Sequence, residues 1–273
     1  MQRILVLNAK GGCGKTTIAV NLGIGIARSA QDKQVIIVDG NVFFGDVGVF
    51  INTRGQYSVV DMALMAEVPE EIDQLSVDQI IVGHESGVKL LVAPPNPGET
   101  GGINTKNMVN MLEYLRTQFD YVIVDTAAYF DEVLIGAIQA ADRLIMISQP
   151  LMPALKDTRL MFGELTAAAY SMDDVMLILN KVPRDSRITT EQISNFLRHQ
   201  VQLEIPYDTA ADEAVNRGVA LITLDARRVN AVKPLADLVQ LVREWIEEEV
   251  PTEDESLAEQ NQPSRGLFGG LRS

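Results

Sequence analysis

The chain has 273 residues, of which 47% are hydrophobic, so it can bury the core of one large domain or two small ones. Its formal net charge of −14 disfavours nonspecific binding of DNA over the whole surface. A single cysteine excludes an intramolecular disulfide or a cysteine metal cluster, and the apolar runs are too short to span a membrane. Because the first strand starts at once, with no room for a signal peptide, we expect a cytoplasmic protein.

The first predicted elements form a strand, a loop and a helix. An apolar run at 4–7 predicts a buried strand, and helical spacing of apolar residues over 18–27 predicts the helix. The loop between them is Ala9-Lys10-Gly11-Gly12-Cys13-Gly14-Lys15-Thr16-Thr17. Its small residues let backbone N–H groups approach an anion, and the helix N-terminus adds a positive dipole end. We therefore predict a phosphate site in which Lys15 reaches the β- and γ-phosphates and the Thr16 hydroxyl binds Mg²⁺.

Further along the chain, short apolar strands alternate with amphipathic helices. Strands are predicted at 35–38, 121–124, 144–148, 175–179 and 203–205. Helices are predicted at 57–65, 104–118, 131–140, 153–169, 190–199 and 230–250. The runs at 80–82 and 88–93 flank a turn-forming segment and form either an antiparallel pair or separate strands. The alternation predicts an α/β fold, a doubly wound and mostly parallel sheet with helices on both faces.

Three polar residues stand directly after predicted strands, namely Asp39, Asp125 and Asn180. In doubly wound sheets, ligands bind outside the carboxyl ends of the strands. The phosphate loop lies at the same edge, so we expect one shared site. Asp125 resembles a Walker B aspartate, which holds Mg²⁺ through water.

The phosphate loop departs from the common pattern in two ways. Ala9 occupies the position where that pattern has glycine, and a second lysine, Lys10, precedes the glycine pair. This combination resembles the deviant Walker A motif, Lys-Gly-Gly-x-Gly-Lys-Thr-Thr, of the ParA/MinD superfamily. The resemblance implies a P-loop ATPase that binds ATP or ADP with Mg²⁺ and forms an ATP-sandwich homodimer. In that dimer Lys10 crosses to the phosphates bound by the other subunit. The implied nucleotide-binding residues of the loop are Lys10, Gly11, Gly12, Cys13, Gly14, Lys15, Thr16 and Thr17.

The resemblance also assigns the magnesium site and the catalytic residues. Asp39 matches the first aspartate of the family's switch I, usually Asp-x-Asp, and Asn41 replaces the second aspartate, which orients the attacking water. An amide at position 41 can hold a water but cannot act as an anionic base, so ATP hydrolysis is expected to be slow. The implied metal ligands are Thr16, Asp39 and Asp125, and the implied catalytic residues are Lys10, Lys15, Asp39 and Asn41.

At the nucleotide base, the resemblance points to two more segments. Asn180 corresponds to the family's adenine-reading strand end, and its amide offers both a donor and an acceptor. Pro206 and Asp208 occupy the position of the second base-contacting loop. For Asp208, an ordinary strand-to-helix turn remains an equal alternative.

Four other stretches, at 44–47, 91–95, 150–156 and 205–208, look like the CpaE/TadZ branch of the superfamily. This likeness implies an ATP-dependent dimerising switch that positions or helps to assemble a pilus or secretion machine at the cell pole. Its partners would be pilus or secretion-system proteins. Two alternatives stay open: a nucleotide-bound scaffold that does not hydrolyse ATP, motivated by Asn41, and a MinD-like membrane-site or ParA-like DNA-partitioning ATPase.

The C-terminal part bears on the DNA-partitioning and membrane-site alternatives. The arginines of the last third are not accompanied by a basic or aromatic run, which favours scattered charge and makes DNA an unexpected partner. We expect one ATPase domain over 1–250, followed at 251–273 by an acidic, disordered tail with a weakly amphipathic end. Such an end would give weak membrane contact, so the protein could lie against the inner face of the membrane or at a pole.

Overall fold

An eight-stranded sheet runs through the computed structural model, which describes residues 2–7 and 10–247. Its strands are β1 (Gln2–Leu7), β2 (Val35–Asp39), β3 (Val82–Gly83), β4 (Lys89–Leu91), β5 (Tyr121–Asp125), β6 (Arg143–Ser148), β7 (Val175–Val182) and β8 (Val201–Pro206). They lie in the order β3-β4-β2-β5-β1-β6-β7-β8. The β3–β4 pair is antiparallel and the other pairs are parallel. The predicted mostly parallel sheet is confirmed.

Helices cover both faces of the sheet. They are α1 (Lys15–Ser29), α2 (Val47–Phe50), α3 (Val59–Met65), α4 (Gln74–Ile80), α5 (Thr105–Gln118), α6 (Glu132–Ala140), α7 (Met152–Ala167), α8 (Thr190–Leu197), α9 (Ala210–Asn216) and α10 (Val232–Glu247). One core packs under α3 to α8, and the other under α1, α2, α9 and α10. Successive strand residues alternate between them, since Leu5 and Leu7 enter the first core and Ile4 and Val6 the second.

The sequence prediction was wrong about the segment before β3. Ile80 was predicted to begin a strand, but it is the last residue of α4, a helix that the sequence did not suggest. The Asp73 carboxylate caps this helix by accepting a hydrogen bond from the Ser76 backbone N–H at 3.0 Å. The runs on either side of the turn do pair antiparallel through β3 and β4, which settles the alternative left open above.

Other boundaries differ by a few residues. Strand β8 begins at Val201, before the predicted 203, and the short helices α2 and α9 were not predicted. The predicted tail at 251–273 and the loop residue Ala9 lie outside the described residues. No helix in the described part of the chain has both the length and the apolar content needed to cross a bilayer.

Candidate functional site

A cavity of about 620 Å³ opens at the carboxyl-terminal ends of the parallel strands, which we call the carboxyl edge of the sheet; the opposite ends form its amino edge. It is lined by these predicted site residues: Gly11, Gly12, Gly14, Lys15, Thr16, Thr17, Asn41, Asn180, Pro206 and Asp208. Cys13, Asp39 and Asp125 are almost fully buried and are not among the lining residues, whereas Lys10 is exposed. The fold therefore brings most of the predicted site together around one space.

The phosphate loop has a backbone shape that depends on two glycines. Gly12 and Gly14 adopt left-handed conformations, with φ of +79° and +94°. Such conformations let backbone N–H groups converge on an anion. A Cβ added at position 14 would lie only 2.3 Å from the side-chain nitrogen of Asn180, so the position has no room for a side chain. Because α1 begins at Lys15, the positive end of its dipole adds to the same place.

Side chains at the carboxyl-terminal ends of β6 and β7 donate hydrogen bonds to backbone carbonyls of the phosphate loop. Asn180 Nδ2 donates to the carbonyl of Cys13 at 2.8 Å, and Lys181 Nζ donates to the carbonyl of Gly12 at 2.9 Å. Gln149 Nε2 also reaches the Gly12 carbonyl, at 3.4 Å. Asn180 was predicted to read adenine; the structure shows its amide N–H bound to the loop, and base contact stays a prediction. Sequence reasoning missed Lys181, whose only signal was its place next to Asn180.

A hydrogen bond joins the start of α1 to the end of β5. Thr16 Oγ1 donates to Asp125 Oδ2 at 2.6 Å. The other oxygen, Asp125 Oδ1, is buried and has no hydrogen-bond partner. A carboxylate oxygen left in this state is costly, and a cation or a water bound to that cation would satisfy it. Thr16 and Asp125 therefore fit a magnesium site.

The protein alone does not build a complete cation site here. No group of three or more His, Cys, Asp or Glu side chains within 2–7 and 10–247 could hold a metal ion. Magnesium commonly keeps several waters and uses one or two protein ligands together with the phosphates of a nucleotide. The sparse ligand set therefore fits a cation that arrives with a nucleotide better than a resident one.

Burial shifts the pKa values of the ionisable side chains in the site. It raises the pKa of Asp125 to about 6, although the Thr16 hydrogen bond and the Lys15 charge oppose the shift. It also raises the pKa of Asp39, where repulsion from Asp125 adds to the effect. Burial lowers the pKa of Lys15, although the Asp125 charge opposes this. The two carboxylates are thus destabilised as anions, and a bound cation would relieve them.

The predicted switch loop folds over Asp39. The Asp39 carboxylate accepts hydrogen bonds from the backbone N–H groups of Asn41 and Val47, at 3.2 and 3.0 Å. The Asn41 amide in turn donates to the Phe44 carbonyl at 2.8 Å. Both Asp39 oxygens are therefore engaged in shaping the loop, and a role for Asp39 as a metal ligand stays a prediction.

At the far end of the cavity, Asp208 has a structural role. Its carboxylate accepts hydrogen bonds from the backbone N–H groups of Ala210, at 3.0 Å, and Asn230, at 2.7 Å. This is the strand-to-helix turn that was one of the two alternatives. Pro206 and Asp208 both line the cavity, so contact with a nucleotide base stays a prediction.

Comparison with known proteins places the chain in a family. A family model described as an AAA domain, AAA_31, matches residues 1–165. The septum site-determining protein MinD of Thermotoga maritima is 26% identical over 275 residues, covering 98% of this chain and 95% of that protein.

Two solved structures share the fold. A ParA family ATPase from Chlorobium tepidum has a TM-score of 0.80 at 21% identity, over 88% of this chain and 98% of that one. MinD from Pyrococcus horikoshii, complexed with Mg-ADP, has a TM-score of 0.77 at 17% identity, over 92% and 99%. The family model spans more than half of the sequence, and the chain belongs to the AAA domain family AAA_31, within the ParA/MinD superfamily of P-loop ATPases.

Proposed function

We propose that this chain binds Mg-ATP in the cavity at the carboxyl edge, dimerises around two nucleotides and acts as an ATP-dependent positioning switch. One observation carries the proposal: the glycine loop, the Thr16–Asp125 hydrogen bond and the strand-end residue Asn180 meet around a single cavity of about 620 Å³. Membership of the superfamily and the Mg-ADP complex of a MinD with the same fold support it.

Each part of the site has a role in this proposal. The backbone N–H groups of the glycine loop and the Lys15 ammonium hold the phosphates. Thr16 and Asp125, with Asp39, would hold Mg²⁺, which when bound neutralises charge on the phosphates. Asn41 orients the attacking water but cannot take its proton as a carboxylate does, so hydrolysis is slow.

Exposed apolar side chains around the cavity support dimerisation. Phe44, Tyr129 and Tyr207 line the cavity, and 72%, 44% and 52% of their surfaces are exposed. Large apolar side chains gathered around a binding site mark an interaction surface. A second copy placed over this face would cover them and bring its own Lys10 toward the phosphates.

Two measurements test the proposal. Calorimetry should detect binding of Mg-ATP to the full chain, and its absence would refute the whole proposal. Light scattering should then show a dimer with ATP that the Lys10→Ala variant does not form, although this variant should still bind ATP. A dimer of Lys10→Ala that persists with ATP would exclude the proposed role of Lys10.

We further propose that the chain has one ATPase domain over 1–250 and that the tail at 251–273 gives weak contact with the inner face of the membrane. The apolar residues Leu267, Phe268 and Leu271 in the tail support this proposal. Flotation with vesicles containing anionic lipid, in the presence of ATP, should recover the full chain but not a variant with these three residues replaced by serine. Equal recovery of the two would contradict membrane contact through the tail.

The object that the switch positions is proposed from sequence likeness. Relatives named as septum site-determining proteins support a MinD-like role in placing a cell structure. The CpaE/TadZ-like stretches support a pilus or secretion machine at the pole. Crosslinking of the ATP-bound protein in cells should capture proteins of such a machine, and capture of septum proteins instead would favour the MinD-like role.

Asn41 favours a second candidate, a nucleotide-loaded scaffold that never turns over. A phosphate-release assay on the wild type and on Asn41→Asp separates the two. Slow release by the wild type supports the switch. No release by the wild type, with release by Asn41→Asp, supports the scaffold.

A further inference from the structure

Strand β7 is irregular where it reaches the phosphate loop. Its register against β8 shifts between Leu179 and Val182, and Lys181 has a left-handed backbone with φ of +55°. This conformation is uncommon for a residue with a side chain, and an irregularity of this kind redirects side chains at a strand end. Neighbouring side chains of a regular strand point to opposite faces, but here Asn180 and Lys181 both reach the same loop.

Their two hydrogen bonds fix the orientation of two consecutive peptide groups. Lys181 holds the carbonyl of Gly12 and Asn180 holds the carbonyl of Cys13, at 2.9 and 2.8 Å. A peptide group is planar and trans, so its N–H points opposite to its carbonyl. Holding these carbonyls therefore directs the N–H groups of Cys13 and Gly14 to the other side of the loop.

We propose that Lys181 is a positioning residue, whose ammonium acts with Asn180 to orient the N–H groups of Cys13 and Gly14 toward the phosphates before a nucleotide binds. The inference rests on the proposed function, that the cavity takes a nucleotide. Donors held in place in advance need no reordering when the anion arrives, which strengthens binding. The strained backbone at Lys181 is retained because it delivers the ammonium to the loop.

Calorimetry with Mg-ADP on the full chain tests this role. Lys181→Met removes the charge-assisted hydrogen bond and should weaken binding about tenfold. Lys181→Arg keeps a cationic donor and should stay within about threefold of the wild type. Lys33→Met is the matched control, because it removes an exposed lysine at the opposite edge of the sheet, paired with Asp120 at 3.5 Å.

The outcomes separate this inference from the proposed function. Wild type that does not bind Mg-ADP refutes the function. If the wild type binds Mg-ADP and Lys181→Met binds it equally well, the inference is overturned. An equal loss of Mg-ADP affinity in Lys181→Met and Lys181→Arg also overturns it. Amide hydrogen exchange adds a readout that needs no ligand. The amides of Cys13 and Gly14 should exchange faster in nucleotide-free Lys181→Met than in Lys181→Arg, and equal rates would overturn the inference.

Discussion

At the amino edge of the sheet the charged side chains are paired, whereas at the carboxyl edge a buried carboxylate oxygen has no partner. The Arg3 guanidinium donates to the Asp142 carboxylate at 2.9 Å and also to Glu113, and Arg143 donates to Asp174. At the carboxyl edge, Asp125 accepts one hydrogen bond from Thr16 and leaves Oδ1 unsatisfied. The sheet thus pairs Arg3 and Arg143 with carboxylates at one end of its strands and leaves a buried carboxylate oxygen without a cation at the other.

Two aspartates show the difference through their pKa values. Burial would raise the pKa of Asp142, but hydrogen bonds and the charge of Arg3 overcome it and lower the pKa. Burial raises the pKa of Asp125 to about 6, because the Thr16 hydroxyl and the Lys15 charge compensate only in part. The comparison teaches that a buried carboxylate stabilises the fold where an arginine side chain is paired with it. Where no such partner is present, the carboxylate can instead bind a cation from solution.

The largest effect is expected from Lys15→Met at the carboxyl edge. The variant should weaken Mg-ATP binding about a thousandfold, equivalent to about 4 kcal/mol, because the phosphates lose a nearly buried cation. Calorimetry measures the loss, and Lys33→Met at the amino edge should bind like the wild type. An affinity reduced less than about tenfold would contradict the role of Lys15.

At the amino edge, Arg3→Met should act on stability and leave binding unchanged. Removing Arg3 leaves the partly buried Asp142 without its cation, whereas the exposed Glu113 keeps Arg116, so the free energy of unfolding should fall by about 2 kcal/mol. Urea denaturation measures the change, and Mg-ATP calorimetry on the folded variant should give the wild-type affinity. Unchanged stability would show that the two edges do not differ as described.

The substitution Asp→Asn sharpens the comparison, because it should raise the free energy of unfolding at the carboxyl edge and lower it at the amino edge. Asp125→Asn removes a carboxylate with a raised pKa and should increase the free energy of unfolding of the nucleotide-free chain by about 1 kcal/mol at pH 7.5. It should also weaken Mg-dependent nucleotide binding. Asp142→Asn should instead lower the free energy of unfolding. Changes of the same sign in urea denaturation would contradict this prediction.

The smallest expected effect is a dependence of stability on pH. Because the pKa of Asp125 is about 6 in the folded chain and 3.8 ordinarily, the folded state binds more protons between these values. The contribution of Asp125 to the free energy of unfolding should therefore rise by about 1 kcal/mol as pH falls from 7.5 to about 5. Asp142, with a lowered pKa, should lose its contribution only as pH falls below its ordinary value.

The wild type minus Asp125→Asn difference reports this pH effect together with the part of the Asp39 shift that depends on the Asp125 charge. Urea denaturation of the nucleotide-free chains at several pH values should show the stability advantage of Asp125→Asn shrinking as pH falls. Parallel curves would contradict the raised pKa of Asp125.

Much of the fold could be predicted because its signals are local. Short apolar runs specify buried parallel strands, and polar residues directly after them, such as Asp39, Asp125 and Asn180, must meet at one edge of the sheet. The glycine spacing of the phosphate loop likewise indicates its backbone shape before any tertiary contact is known.

The missed features depend on contacts between distant segments or on helices too short to show a period. Helices α2, α4 and α9 have four to seven residues, which gives at most two turns of helical pattern. The left-handed backbone of Lys181 and the capping of the Asn230 backbone by Asp208 arise only after β7, β8 and α10 have assembled. A single sequence carries no local signal for either.

The close approach of Gly14 to Asn180 has a consequence for protein engineering. With 2.3 Å between the amide nitrogen and a hypothetical methyl carbon, residues 166 positions apart constrain one another's size. A side chain at position 14 would have to displace Asn180 from the carbonyl of Cys13, so a library built on the nine-residue motif should keep glycine at position 14 wherever an asparagine faces it.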